Sequence, residues 1–232
     1  MSGADVIERA RGESGELVLR SGSAGLEIVA NGVFLVSAAN AVSSRALVTA
    51  AWPHVRGDAL EVLIGGLGIG DALVEALDCE RVAQVTVAEL EPVIVRWFRR
   101  HGGEAARRAA AGERAGRVRL VTADVATVLA GTSGRWDVVA LDTDNGPEWL
   151  VRGENARLYA PAGLRRVRDA LRPGGVAVFW SPGRYPAFEA ALAGVFASVA
   201  TAAASDVIDG RELEYTMYVA RRAEGDATGC AR

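Results

Sequence analysis

Apolar residues along the chain follow two rhythms. Between residues 15 and 37 they form three short runs, 16–20, 26–30 and 33–37, parted by residues 21–25 and by Asn31-Gly32. Asn-Gly between apolar runs predicts a tight hairpin, because a type I′ turn needs positive φ at both central positions. The runs read as a small β-meander. Asn40 is placed to cap a helix over 41–52, which Pro53 stops.

From residue 59 the rhythm becomes strand, turn, helix. Apolar runs at 60–64, 83–88, 118–121, 137–141 and 176–180 read as strands. Helices are expected over 71–77, 92–101 with Pro92 in the first turn, 125–129 and 161–171, the last stopped by Pro173-Gly174-Gly175. A helix near 187–196 and strands near 200–208 and 213–220 follow, joined by the hairpin signal Asp209-Gly210. Strands apolar along their whole length belong to parallel sheets covered on both faces. The expected fold is α/β, a Rossmann-like, methyltransferase-type sheet of seven strands with the last antiparallel, preceded by the β-meander. Residues 1–14 read as a tail, 15–58 as the meander plus connecting helix, 59–222 as the Rossmann-like domain and 223–232 as a disordered tail. Residues 102–116, rich in Ala, Arg and Gly, read as a helical or loose surface insertion.

Composition removes several chemistries. The 232 residues include 26 basic ones, all of them arginine. Without lysine the chain can form no Schiff base to pyridoxal phosphate, and it lacks the lysine of a Gly-x-x-x-x-Gly-Lys-Ser/Thr phosphate loop. Two cysteines and two histidines, none at metal-ligand spacing, argue against structural zinc, iron–sulfur clusters and a disulfide framework. A net charge of −3 gives no reason to expect nucleic acid or a membrane surface as partner. No targeting segment or membrane-spanning run is visible, so a cytoplasmic location is expected.

Three strand ends carry candidate chemistry. After the 60–64 strand, Ile64-Gly65-Gly66-Leu67-Gly68-Ile69-Gly70 places glycines where a backbone turns sharply against a ligand. The spacing over Gly66, Gly68 and Gly70 is G-x-G-x-G, and Asp71 stands where a dinucleotide binder has its last glycine. Glu89, at the end of the second strand, is placed to accept hydrogen bonds from two ribose hydroxyls. Asp124, after the third, is suited either to accept from an adenine amine or to cap the next helix.

Together these residues resemble the spermidine synthase family, within the class I S-adenosylmethionine-dependent methyltransferase folds. Ile64-Gly65-Gly66 is similar to the start of the family's I-G-G-G-D-G-G turn, and Val87-Ala88-Glu89-Leu90-Glu91 to its V-x-x-x-E-I-D strand end. Ala123-Asp124, Leu158-Tyr159 and Leu171-Arg172-Pro173-Gly174-Gly175 also match. The resemblance implies a nucleoside site formed by Gly65, Gly66, Gly68, Gly70, Glu89, Leu90, Asp124, Val125 and Asp142. Its ligand would be S-adenosylmethionine or decarboxylated S-adenosylmethionine, with S-adenosylhomocysteine or methylthioadenosine as product. Asp142 and Asp144 are the catalytic candidates, placed to take a proton from the acceptor. Trp149 and Tyr159 are candidates to line an acceptor pocket for a small molecule, and a homodimer is expected.

The chain also departs from the family. Gly68 stands where the family has an aspartate for the aminopropyl amine. Asp142-Thr143-Asp144-Asn145-Gly146-Pro147 replaces D-S-S-D-P-x-G-P. Ala38-Ala39-Asn40 and Ser43-Ser44-Arg45 occupy positions where the family has acids. Loss of those carboxylates argues for a divergent acceptor. The leading expectation is an aminopropyl-type transferase, the alternatives being a small-molecule methyltransferase or a non-catalytic nucleoside-binding protein.

Overall fold

The computed structural model describes residues 5–143, 155–208 and 210–225. Its first unit is a four-stranded antiparallel sheet of β1 (Asp5–Gly12), β2 (Gly15–Gly22), β3 (Gly25–Ala30) and β4 (Val33–Ser37), paired in that order. Asn31 and Gly32 adopt φ of 49° and 81°, as the expected type I′ turn requires. Asn31 also stitches two turns together. Its Oδ1 accepts from the Glu16 N–H at 2.9 Å, and its Nδ2 donates to the Ser14 carbonyl at 2.6 Å. The pattern of apolar positions does not show β1, because the strand lies at a sheet edge with Asp5, Val6 and Ile7 exposed.

A short 3-10 turn leads into α1 (Ala41–Thr49). The Asn40 side chain does not cap this helix; its Nδ2 donates to the Tyr215 hydroxyl at 2.9 Å instead. The cap comes from far along the chain. Asp206 accepts from the Val42 and Ser43 amides at 2.9 and 3.0 Å, satisfying donors that a helix start leaves open.

The second unit is a seven-stranded sheet: β5 (Leu60–Gly65), β6 (Val82–Glu89), β7 (Val118–Thr122), β8 (Trp136–Leu141), β9 (Leu171–Ser181), β10 (Ser198–Ile208) and β11 (Arg211–Arg221). The order is β10-β11-β9-β8-β5-β6-β7, parallel except where the final strand, β11, runs antiparallel between β9 and β10. Ile208 pairs with Arg211, so the last hairpin has a two-residue turn, with Gly210 at φ 74°; Asp209 lies outside the described residues.

The helices are α2 (Asp71–Asp78), α3 (Pro92–His101), α4 (Gly103–Arg114), α5 (Val125–Ala130), α6 (Ala156–Tyr159), α7 (Pro161–Ala170) and α8 (Pro186–Ala193). The segment 102–116 is thus mostly helix, with Ala109 buried against the core. Successive strand residues feed opposite faces of the sheet, as the pleat dictates. Val62, Ile64, Val138, Ala140, Val176 and Val178 join a core shared with α1–α4 and the N-terminal sheet. Leu63, Val139, Leu141, Ala177 and Phe179 join the core under α5, α7 and α8. No helix among the described residues is long and apolar enough to cross a membrane.

Candidate functional site

Connections leave β5 toward β6 on one side, and β8 lies on its other side. The carboxyl ends of these strands therefore face a crevice at the point where the strand order reverses, where ligands of open α/β sheets bind. A cavity of about 140 Å³ occupies it, walled by the β5–α2 turn, the ends of β6 and β8, the start of α5, and Ser14, Leu35 and Val36 of the N-terminal sheet.

The glycine turn is built for close approach. Gly66, Gly68 and Gly70 all line the cavity with φ of 97°, 52° and 96°. A Cβ on Gly66 would stand 2.4 Å from the Asp142 carbonyl oxygen, and one on Gly70 2.4 Å from the Phe98 ring. Gly68 packs against Val36, whose methyl groups lie about 3.4–3.5 Å from where a Cβ would sit. Gly65 is not on the cavity wall. It is buried at the end of β5, where a Cβ would come within 2.9 Å of Leu141 and 3.0 Å of Val125.

Glu89 lies on the wall with 7% of its surface exposed. Its Oε2 accepts from the Leu67 N–H at 2.8 Å and its Oε1 from the Glu91 N–H at 2.9 Å. Burial pushes its carboxyl above the usual carboxylate range, while those two amides hold it down. Each oxygen keeps further acceptor capacity, since an ionised carboxylate offers about four lone-pair sites. Leu90 lines the same wall.

Glu91, two residues on, is a structural carboxylate. Buried at 3% exposure, it accepts from the Glu13 and Ser14 amides at 2.9 and 2.7 Å and so pins the β1–β2 turn over the cavity. Asp124 caps α5, accepting from the Ala126 N–H at 2.8 Å, and its other oxygen meets Arg157. The capping alternative is therefore realised, and Asp124 and Val125 still line the cavity.

Asp142 follows β8, with its N–H donating to the Gly65 carbonyl at 3.0 Å. It lines this cavity and also a second one of about 380 Å³, which shares Leu35, Val36 and Ser44 with the first. Ala39, Asn40 and Ser43 line the second cavity, at positions where the sequence departs from the family's acids. Trp180 and Tyr215 add an aromatic wall, their rings 5.1 Å apart and 34° from parallel. Glu27 is also there, paired with Arg20 at 2.7 Å.

Tyr159 does not line either cavity. It packs in an aromatic cluster with Phe179 and Phe188, its hydroxyl 3.3 Å from the Thr143 Oγ1. Asp144 and Trp149 lie outside the described residues. Several wall residues have no motif to mark them: Ser14, Leu35 and Val36 arrive from the N-terminal sheet, and Tyr215 from the last strand. Apolar runs signal the strands that carry Leu35, Val36 and Tyr215, and nothing in the sequence signals Ser14, which lies in the β1–β2 turn. Among the described residues, no group of three or more His, Cys, Asp or Glu could hold a metal ion.

The sheet order, the glycine turn and the crevice define a Rossmann-like α/β protein of methyltransferase type. No family model matches the sequence, and no curated protein does. Solved structures do match. The crystal structure of spermidine synthase from Thermotoga maritima superposes with a TM-score of 0.75 at 16% identity, over 97% of this chain and 75% of that one. A spermidine synthase in complex with the transition-state analogue AdoDATO gives a TM-score of 0.75 at 16% identity, over 97% and 74% of the two chains. The chain has a spermidine synthase-like fold, N-terminal sheet included.

Proposed function

We propose that the chain is a spermidine-synthase-like transferase that moves an alkyl group of aminopropyl type from a sulfonium nucleoside to a small-molecule acceptor. The donor is S-adenosylmethionine or its decarboxylated form. The observation that carries this reading is Glu89: a buried carboxylate, fixed by two backbone amides, on the wall of a cavity beside a glycine turn. A ribose diol supplies the two donors that such a carboxylate can still accept. The nucleoside fills more than the first cavity alone, and the second cavity, which shares the Leu35, Val36, Ser44 and Asp142 wall, lies beside it.

The donor, when bound, supplies a carbon already attached to a good leaving group. The protein's task is then alignment and proton removal. Asp142 stands between the two cavities and takes the acceptor's proton, while Trp180 and Tyr215 hold the acceptor's apolar body. Asp144 is the second candidate for the proton. Gly68, in contact with Val36 where the family carries its amine-binding aspartate, favours methyl transfer as the second reading. A homodimer through the N-terminal sheet belongs to the same proposal and is checked by light scattering.

The test is Asp142→Asn. Transfer to a panel of amine and hydroxyl acceptors, followed by mass spectrometry, is expected to fall at least about a hundredfold, the scale of a lost general base. Because Asp142 also lines the nucleoside cavity, methylthioadenosine affinity is measured alongside, and the fall in transfer should far exceed any loss of affinity. Undiminished transfer would remove Asp142 from the chemistry, and failure of every nucleoside to bind the wild-type chain would overturn the whole reading.

A further inference from the structure

We propose that Asp71 and Arg45 recognise the amino-acid end of the donor, so that the chain selects carboxylate-bearing S-adenosylmethionine over its decarboxylated form. This inference rests on the nucleoside reading above and specifies its donor; intact S-adenosylmethionine has no aminopropyl group to give, so the group transferred becomes methyl, the second reading above.

Position comes first. Glu89 and Asp124 sit at the ends of β6 and β7, so ribose and base lie on that side of the crevice. The remainder of the donor then runs the other way, toward the β5–α2 turn and α1. Asp71 is the first residue of α2, directly after the glycine turn, and lines the first cavity. Arg45 is on α1, next to Ser44, which lines both cavities. The Arg45 Nη2 lies 3.7 Å from the Asp71 Oδ1, close enough for attraction and too long for a hydrogen bond.

Unused capacity comes second. Glu89, Glu91 and Asp124 each hold described hydrogen-bond donors. Asp71 holds none among the described residues, and its Oδ2 is sealed from solvent. Burial raises the Asp71 carboxyl above its ordinary value, opposed by Arg45 and reinforced by Asp206. An ammonium group in the cavity, against the 18% of the Asp71 side chain that stays exposed, would offset that burial. The guanidinium of Arg45 is half exposed and forked, a geometry that matches a carboxylate. An ammonium and a carboxylate on one carbon are what this opposite-charge pair complements, and the decarboxylated donor offers only the first.

Calorimetric titration of the full chain with S-adenosylmethionine, its decarboxylated form and methylthioadenosine tests the pair. The expected wild-type result is intact donor bound about tenfold tighter than the decarboxylated one, the scale of one charge-assisted contact. Arg45→Ala should bring the two within about twofold, and Arg45→Glu should reverse the order. Asp71→Asn should weaken both amine-bearing donors and leave methylthioadenosine unchanged. Equal or tighter binding of the decarboxylated donor by the wild type overturns the inference, as does an Arg45→Ala loss shared equally by all three ligands. If methylthioadenosine binds without donor discrimination, only this inference falls; if no nucleoside binds, the proposed function falls with it.

Discussion

Replacing Glu89 by Gln isolates the proposed ribose contact with little change of volume. In the wild type each carboxylate oxygen accepts one backbone amide, at 2.8 and 2.9 Å, and has capacity for a ribose hydroxyl. Glutamine keeps one carbonyl oxygen and turns the other position into an NH₂ group. That group faces a backbone N–H, donor against donor, and cannot accept from the ribose. The bound state loses one hydrogen bond to a charged group and has its partner reduced to a neutral one. The two losses sum to about 2.5–4 kcal/mol, or roughly 50- to 1000-fold in Kd. Calorimetric titration with methylthioadenosine reads this directly, and a thermal melt of the variant confirms that the fold persists. A Kd within about fivefold of wild type, in a folded variant, would refute the assignment of Glu89 to the ribose.

Further outcomes follow from the same geometry. Glu89 has a raised carboxyl in the folded chain, so its ionisation there opposes folding: its contribution to stability is complete below the ordinary carboxylate value and declines as pH rises through the folded value. Ribose hydroxyls favour the ionised form, so between those two values nucleoside binding should release protons, seen as a binding enthalpy that varies with buffer ionisation heat and is abolished in Glu89→Gln. Glu91→Gln removes one of two carboxylate–amide bonds and weakens the other, for a loss of about 2–4 kcal/mol in denaturant unfolding. Hydrogen exchange at Glu13 and Ser14 should accelerate in that variant, and unchanged exchange there would contradict the role given to Glu91. Gly66→Ala combines a φ of 97° with a 2.4 Å approach to the Asp142 carbonyl. The backbone strain alone costs roughly 1–3 kcal/mol, and a lower melting temperature with loss of nucleoside binding is expected.

Much of this architecture is local in origin and was legible along the chain. The apolar runs mark β5, β6, β8 and β9 because those central strands are largely buried on both faces, and Asn31-Gly32 sets its own turn through φ. The glycines of 65–70 and the acid ending β6 mark the crevice, because turn geometry and strand ends are written in a few adjacent residues. Strand β1 escapes that reading: an edge strand with exposed apolar and polar residues has no burial period to display. The tertiary structure decided which partner each carboxylate takes. Glu89 and Glu91 are two residues apart with the same side chain and both line the cavity, yet one takes its amides from the adjoining turns and the other holds a turn 77 residues away. Asp206 caps a helix 164 residues before it, a role that the position of Asn40 in the sequence suggests for Asn40, whose side chain donates to the Tyr215 hydroxyl instead. Tyr159, part of the Leu158-Tyr159 pair singled out in the sequence, turns into the aromatic core. Periodicity and turn chemistry depend on neighbours along the chain. The satisfaction of a buried charge depends on neighbours across the sheet, and those exist only once the two units have packed together.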